Sequence, residues 1–255
     1  MSPAPRRSEG AWPSLRVLII IPAFNEAKNL GAVLTGLRGA SPECDVCVVD
    51  DGSTDETAKV AAREGATVLR VPLNLGIGGA VQTGYLWAQR RGYDVAIQID
   101  GDGQHDPRFI ADVLAPIARG EADLVIGSRF LDAGGYRSTA IRRLGIRYLS
   151  WFIRARCGVR VTDPTSGFRA TGRRAIELFA RTYPDAYPEA EAIGLARRHG
   201  LGIVEVPVRM SERIHGASTI NGWRSIQYFV MVSLALALWA PADGSGRGPS
   251  PDGEE

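Results

Sequence analysis

Short apolar runs alternate along the chain with stretches of helical spacing. RVLIII (16–21), DVCVVD (45–50), TVLRV (67–71), DVAIQI (94–99) and DLVIG (123–127) are rich in β-branched residues and bounded by polar ones, which predicts buried strands. Between them, 25–37, 53–65, 77–91 and 107–118 repeat apolar positions three and four apart, which predicts helices. Ser53 or Thr54 is placed to cap the second helix, and Asp106, ahead of Pro107, the fourth. Strands alternating with helices imply one α/β domain, Rossmann-like, with a mostly parallel twisted sheet flanked by helices. In such sheets ligands bind beyond the carboxyl ends of the strands. IPAFNE (21–26), VDDGSTD (49–55), DGDGQHD (100–106) and IGSRF (126–130) then become loops at one edge.

Composition narrows this. The 255 residues are 45% hydrophobic and 23% charged, ordinary for one globular domain with an appendage. We divide them into a polar tail (1–14), the domain (15–221), an apolar C-terminal helix (222–240) and a second polar tail (241–255). The first tail has no apolar core and so no signal peptide, and three cysteines make no disulfide framework, so a cytoplasmic site of action is expected. Cys44 and Cys47 have the spacing of half a zinc site, but in a strand residues three apart face opposite ways.

The net charge of +2 hides an uneven distribution. Between Ala133 and Thr162 stand Arg137, Arg142, Arg143, Arg147, Arg154, Arg156 and Arg160, with no acidic residue among them. Leu144, Ile146, Tyr148, Leu149, Trp151, Phe152 and Ile153 interleave with these arginines as in a basic amphipathic helix, which favours a membrane surface or lipid phosphate over nucleic acid. At the other end, Ser225–Ala240 is free of charge but short for a span of about 20 residues. Trp223, Tyr228 and Trp239 at its flanks suit an interfacial helix.

The loops carry the chemistry. Asp100 and Asp102 flank Gly101, and Gly103 follows, so the chain can turn and bring both carboxylates to one point. Two carboxylates with a nearby amide suit a hard divalent cation, Mg²⁺ or Mn²⁺, that keeps positions open for phosphate oxygens. His105 is open between ligand and bystander. Asp50 and Asp51 end a strand, either as helix-start acids or as acceptors for a base or ribose. Pro22 and Phe24 can wall a planar base, with Asn25 and Glu26 as hydrogen-bonding partners. Gly76, Gly78 and Gly79 in NLGIGGAVQTGY resemble a dinucleotide fingerprint, but Val81 stands at its third glycine position and the motif follows the third strand.

IPAFNE, VVDDGSTD, NLGIGGAVQTGY, DGDGQHDP, GSRF and DPTSGFR, in this order, resemble the inverting family-2 glycosyltransferases of GT-A fold. The resemblance covers about residues 16–225 and is nearest to the polyprenyl-phosphate, dolichol-phosphate mannosyltransferase-like branch. It implies a hexosyltransferase that moves one sugar from a nucleotide-sugar donor (UDP-glucose, UDP-GlcNAc or GDP-mannose) to a polyprenyl phosphate such as undecaprenyl phosphate. A family-2 enzyme acting on a glycan or soluble hydroxyl in cell-envelope polysaccharide synthesis is the alternative. Pro22, Phe24, Asn25, Glu26, Asp50, Asp51, Asn74, Gly76 and Asp100 would hold the nucleotide, and Asp100, Asp102 and Gln104 the metal. Arg129, Arg142, Arg143, Ser166 and Arg213 would meet phosphate or acceptor. Asp102, Arg129 and Glu189 would form the catalytic set, Glu189 either as base or, like Glu191, as a helix-start acid. The implied place is the inner face of the cell membrane, as a peripheral protein, with room for a small membrane protein as partner. The pattern departs from the family at one point: Arg213, Gly216 and Ser218 match a closing R-x-x-G-x-S-K loop, but Thr219 replaces its lysine.

Overall fold

The computed structural model describes residues 15–41, 43–131, 140–211, 229 and 231–234. The expected single α/β domain is present. Strands β1 (Val17–Ala23), β2 (Asp45–Asp50), β3 (Thr67–Arg70), β4 (Val95–Gln98), β5 (Leu124–Ser128), β6 (Arg169–Gly172) and β7 (Ile203–Pro207) form one sheet in the order β3-β2-β1-β4-β6-β5-β7. All neighbours are parallel except β6, which runs antiparallel to both β4 and β5.

Helices cover both faces, which is why β1 reads as unbroken VLIIIPA with every residue buried. Leu18 and Ile20 face α3 (Gly76–Arg91), α5 (Ala140–Cys157), α6 (Arg173–Arg181) and α7 (Pro188–Arg198). Ile19 and Ile21 face α1 (Ala27–Ala40), α2 (Thr57–Arg63) and α4 (Ile110–Ala118). Cys47 lies in the first layer and Cys44 in the second, so they make no pair; burial pushes each thiol up to about 12.

One expectation changes and two strands are added. β6 and β7 were not legible as strands: Arg169, Thr171 and Glu205 break the apolar pattern. Ser53 and Thr54 do not cap α2, whose first residue is Thr57; Asp55 Oδ1 accepts the Thr57 N–H at 2.9 Å instead. Of the C-terminal helix only 229 and 231–234 are described, and these are helical, with Val232 buried; the rest of 222–240 and both tails lie outside the described residues. Asp106 does cap: its Oδ1 accepts the Arg108 N–H at 3.0 Å, with Pro107 opening the turn.

The glycine-rich start of α3 is a packing device. A Cβ on Gly78 would lie 2.6 Å from Asp185 Cα and 2.8 Å from Asp185 O, both backbone atoms. Gly78→Ala gains roughly 1 kcal/mol of helix propensity but forces that backbone aside, at about 1–3 kcal/mol. The expected net result is a lower midpoint in thermal denaturation; an unchanged or raised midpoint would refute the close approach.

Candidate active site

Because β6 runs backwards, its leading loop joins the carboxyl-end loops of the other strands. Along this edge they follow sheet order: 71–75 after β3, 51–56 after β2, 24–26 after β1, 99–106 after β4, 163–168 before β6, 129–131 after β5 and 208–211 after β7. Of the residues expected to hold nucleotide, all but Asp100 fall on one half; Arg129 and Ser166, expected to meet phosphate or acceptor, fall on the other; and the acidic loop lies between.

On the nucleotide half two loops are stitched together. The Asn25 N–H donates to Ser53 Oγ (2.9 Å) and Asn25 Oδ1 accepts from the Thr54 N–H (2.9 Å). The Glu26 N–H donates to Thr57 Oγ1 (2.9 Å) and the Ala27 N–H to Asp55 Oδ2 (3.2 Å). This holds Asn25 at φ 57°, a left-handed conformation that Asn tolerates better than most residues. Next to it Pro22 is buried and Phe24 is left 48% exposed, an aromatic face open to a ligand. Glu26 Oε2 accepts from Asn29 Nδ2 at 2.6 Å. Asp50 is buried, Oδ1 accepting the Ser53 N–H (3.1 Å) and Oδ2 lying 3.5 Å from Arg70 Nε. Asp51 uses both oxygens on backbone: Oδ1 on the Leu75 N–H (2.7 Å) and Oδ2 on the Gly76 N–H (3.0 Å), which also donates to Asn74 Oδ1. Asp51 is therefore a helix-start acid, though for α3 rather than α2, and it draws Asn74 and Gly76 against the β2 loop.

In the middle, Asp102 is buried with Oδ1 accepting the Gln104 N–H (3.0 Å), while Gln104 is half-buried and its carbonyl accepts the Ser211 N–H (2.8 Å). The Asp100 N–H donates to His105 Nδ1 (3.0 Å), so the ring proton sits on Nε2, which points at Asp100 Oδ2 from 3.6 Å. Both ring nitrogens of His105 thus face Asp100, one its backbone and the other its carboxylate. Stacked on Phe168 at 5.0 Å between centroids, the ring braces the loop. The DPTSGFR turn closes over Asp100 so tightly that a Cβ on Gly167 would stand 3.0 Å from Asp100 Oδ1.

Among the described residues no cage of three or more His, Cys, Asp or Glu side chains is formed. Asp100, Asp102 and Gln104, expected to hold a metal, would offer side-chain oxygens alone, a chemistry that suits Mg²⁺ or Mn²⁺ with most of the coordination sphere left to water and phosphate.

On the phosphate half Arg129 is buried and gripped by Asp163, itself fully buried: Nε to Oδ2 at 2.6 Å and Nη2 to Oδ1 at 2.7 Å. Nη2 also donates to Thr165 Oγ1 (2.9 Å), and Nη1 lies 3.9 Å from Met210 Sδ. Ser166 shapes the same turn, its Oγ accepting the Phe168 N–H (3.3 Å) and its carbonyl accepting from Arg169 Nε (2.8 Å). On α5, Arg142 is half-buried and Arg143 exposed; Arg213 lies outside the described residues. Glu189 opens α7, half-buried; burial raises its carboxyl while Arg169 pulls it back, and Asp100 and Arg129 also act on it. Sequence reasoning missed Asp163 and Arg169. Their signal is two charges of opposite sign six residues apart in DPTSGFR, next to a run that buries both.

Comparison with known proteins agrees with this arrangement. The family described as "Glycosyl transferase family 2" matches residues 18–179. The chain is 34% identical to polyprenol monophosphomannose synthase of Mycolicibacterium smegmatis, over 82% of this chain and 83% of that one. It is 37% identical to undecaprenyl-phosphate mannosyltransferase of Micrococcus luteus, over 82% of this chain and 88% of that one. Among solved structures, glucosyl-3-phosphoglycerate synthase of Mycobacterium tuberculosis, in complex with Mn²⁺, UDP and glucosyl-3-phosphoglycerate, superposes with TM-score 0.68 at 25% identity, over 89% of this chain and 82% of that one. Together with the α/β fold and the loop order along its edge, these matches lead to one conclusion: the chain belongs to glycosyl transferase family 2.

Proposed function

We propose that this protein transfers one sugar from a nucleotide-sugar donor to a polyprenyl phosphate, with inversion, at a membrane surface. The observation that carries the reading is the acidic loop 100–104 standing between a nucleotide-like half and an arginine-bearing half of one sheet edge. In this reading Phe24 and Pro22 wall the base, and Asn25, Glu26 and Asp50 offer it and its ribose polar partners. Asp51 acts through the 74–76 loop. Asp100, Asp102 and Gln104 hold a divalent cation, which when bound neutralises charge on the diphosphate leaving group. The relative crystallised with Mn²⁺ and UDP supports that cofactor class. Arg129, fixed in plane by Asp163, serves the phosphate, and Ser166, Arg142, Arg143 and Arg213 are assigned to the acceptor.

A phosphate monoester is already ionised near neutral pH, so its oxygen attacks without a protein base. Names of two relatives carry a polyprenol or undecaprenyl phosphate, which supports this acceptor class. A second observation supports it too. No described helix is long and apolar enough to cross a membrane. On α5, however, Ile146, Leu149 and Ile153 are buried while Leu144, Tyr148 and Trp151 are 71%, 42% and 63% exposed, with Arg143, Arg147 and Arg154 exposed among them. Ser233 Oγ donates to Tyr148 Oη (3.1 Å), and Met231 and Leu234, 45% and 52% exposed, extend the patch. Apolar side chains ringed by arginines suit an anionic bilayer.

The half-buried carboxyl of Glu189 favours a second reading, a hydroxyl acceptor deprotonated at Glu189. One assay separates the two. Protein with Mn²⁺ or Mg²⁺ is offered UDP-glucose, UDP-GlcNAc and GDP-mannose, each with undecaprenyl phosphate or with soluble glycans. Sugar transfer to the lipid that stops in EDTA is expected. Full activity in EDTA would remove the metal from the reading; transfer to glycans alone, lost in Glu189→Gln, would move it to the second.

A further inference from the structure

We propose that Glu205, on edge strand β7, is a positioning residue for phosphate recognition, acting through Asp163 on Arg129. This rests on the reading above that Arg129 meets phosphate. Along IVEVP, Val204 and Val206 face the α4 side of the sheet, and Glu205 lies on the opposite face, with Ile203. There its carboxylate takes two consecutive backbone donors and a hydroxyl. Oε2 accepts the Thr162 N–H (2.7 Å) and Thr162 Oγ1 (3.0 Å), and Oε1 accepts the Asp163 N–H (2.8 Å).

A carboxylate grafted onto two N–H groups of a turn is a strong, directional anchor. It fixes the peptide that carries Asp163 from behind, while Asp163 holds Nε, Nη2 and the backbone N–H of Arg129 in front (2.6, 2.7 and 3.2 Å). Ser128 Oγ, 2.6 Å from Thr162 Oγ1, ties the end of β5 into the same group. With Nε and Nη2 both held by Asp163, the plane and place of the Arg129 guanidinium depend on where Asp163 stands, and hence on Glu205. Glutamine at 205 would keep the shape but replace one acceptor oxygen by an amide nitrogen, which cannot accept from Thr162 or Asp163.

The test is steady-state kinetics on the full chain, varying the donor and undecaprenyl phosphate separately, for wild type, Arg129→Lys, Glu205→Gln and the double variant. Glu205→Gln is expected to raise the same KM that Arg129→Lys raises, by roughly tenfold, with kcat changed much less. The double variant should be no worse than Arg129→Lys alone. A merely structural role would lower the thermal midpoint and leave both KM values in place, which overturns the proposal while sparing Arg129. If Arg129→Lys moves neither KM, or wild type transfers no sugar, the underlying reading fails and Glu205 with it. Should Glu205→Gln not fold, Glu205→Asp, charged but too short to reach both N–H groups, is judged by the same criteria.

Discussion

Asp102→Ala is expected to lose about a thousandfold or more in kcat while remaining folded, on the scale of removing one preorganised stabiliser of a leaving charge. The side chain accepts the Gln104 N–H, worth about 1 kcal/mol to folding, so the thermal midpoint should move by only a few degrees. Asp102→Asn sharpens the experiment. It retains an oxygen that can accept from Gln104 but gives up the negative charge. If charge on the cation site is what matters, Asn and Ala should be similarly inactive, and Asn closer to wild type in stability. An Asn variant with near-native turnover would mean that Asp102 serves the loop and not the ion.

Asp163→Ala should have the largest effect on stability, about 3–5 kcal/mol, because it leaves the buried Arg129 guanidinium without its carboxylate. Asp163 is fully buried and Arg129 nearly so, and the pair makes two short contacts at 2.6 and 2.7 Å, so solvent screening does little to soften the loss. Chemical denaturation would read this as a lower midpoint with an unchanged slope. Adding Arg129→Met should recover much of the stability, since the desolvated charge is then gone, yet leave the enzyme unable to recognise phosphate. Recovery of activity along with stability would show that the pair is scaffolding.

How far these sites could be read in advance follows a physical line. β1, β2, β4 and β5 declared themselves because buried parallel strands must be apolar on both faces, and β3, an edge strand with no buried residue, by its short run of β-branched and apolar residues. β6 and β7 did not, since each turns a polar side chain into the protein: Arg169 and Thr171 on one, Glu205 on the other. The acidic loop was legible from its density of aspartates and glycines, and Asp106 could be set apart from it by the proline that follows. His105 could not be decided, because its role depends on which nitrogen receives the Asp100 N–H. Asp51 presented two readings, and its partners, Leu75 and Gly76, come from a loop whose approach only the sheet order reveals.

The reversed strand β6 has a consequence for how such an enzyme can diversify. Loops 24–26, 51–56 and 71–75 occupy one flank of the edge; 163–168, 129–131 and 208–211 occupy the other, and loop 99–106 is their border. The two flanks are built on different strands, one set all parallel and stitched among itself, the other organised around Asp163. If the proposed function holds, donor choice and acceptor choice are housed in separate modules sharing a single hinge of chemistry, and grafting the loops of one flank should change one choice without redrawing the other.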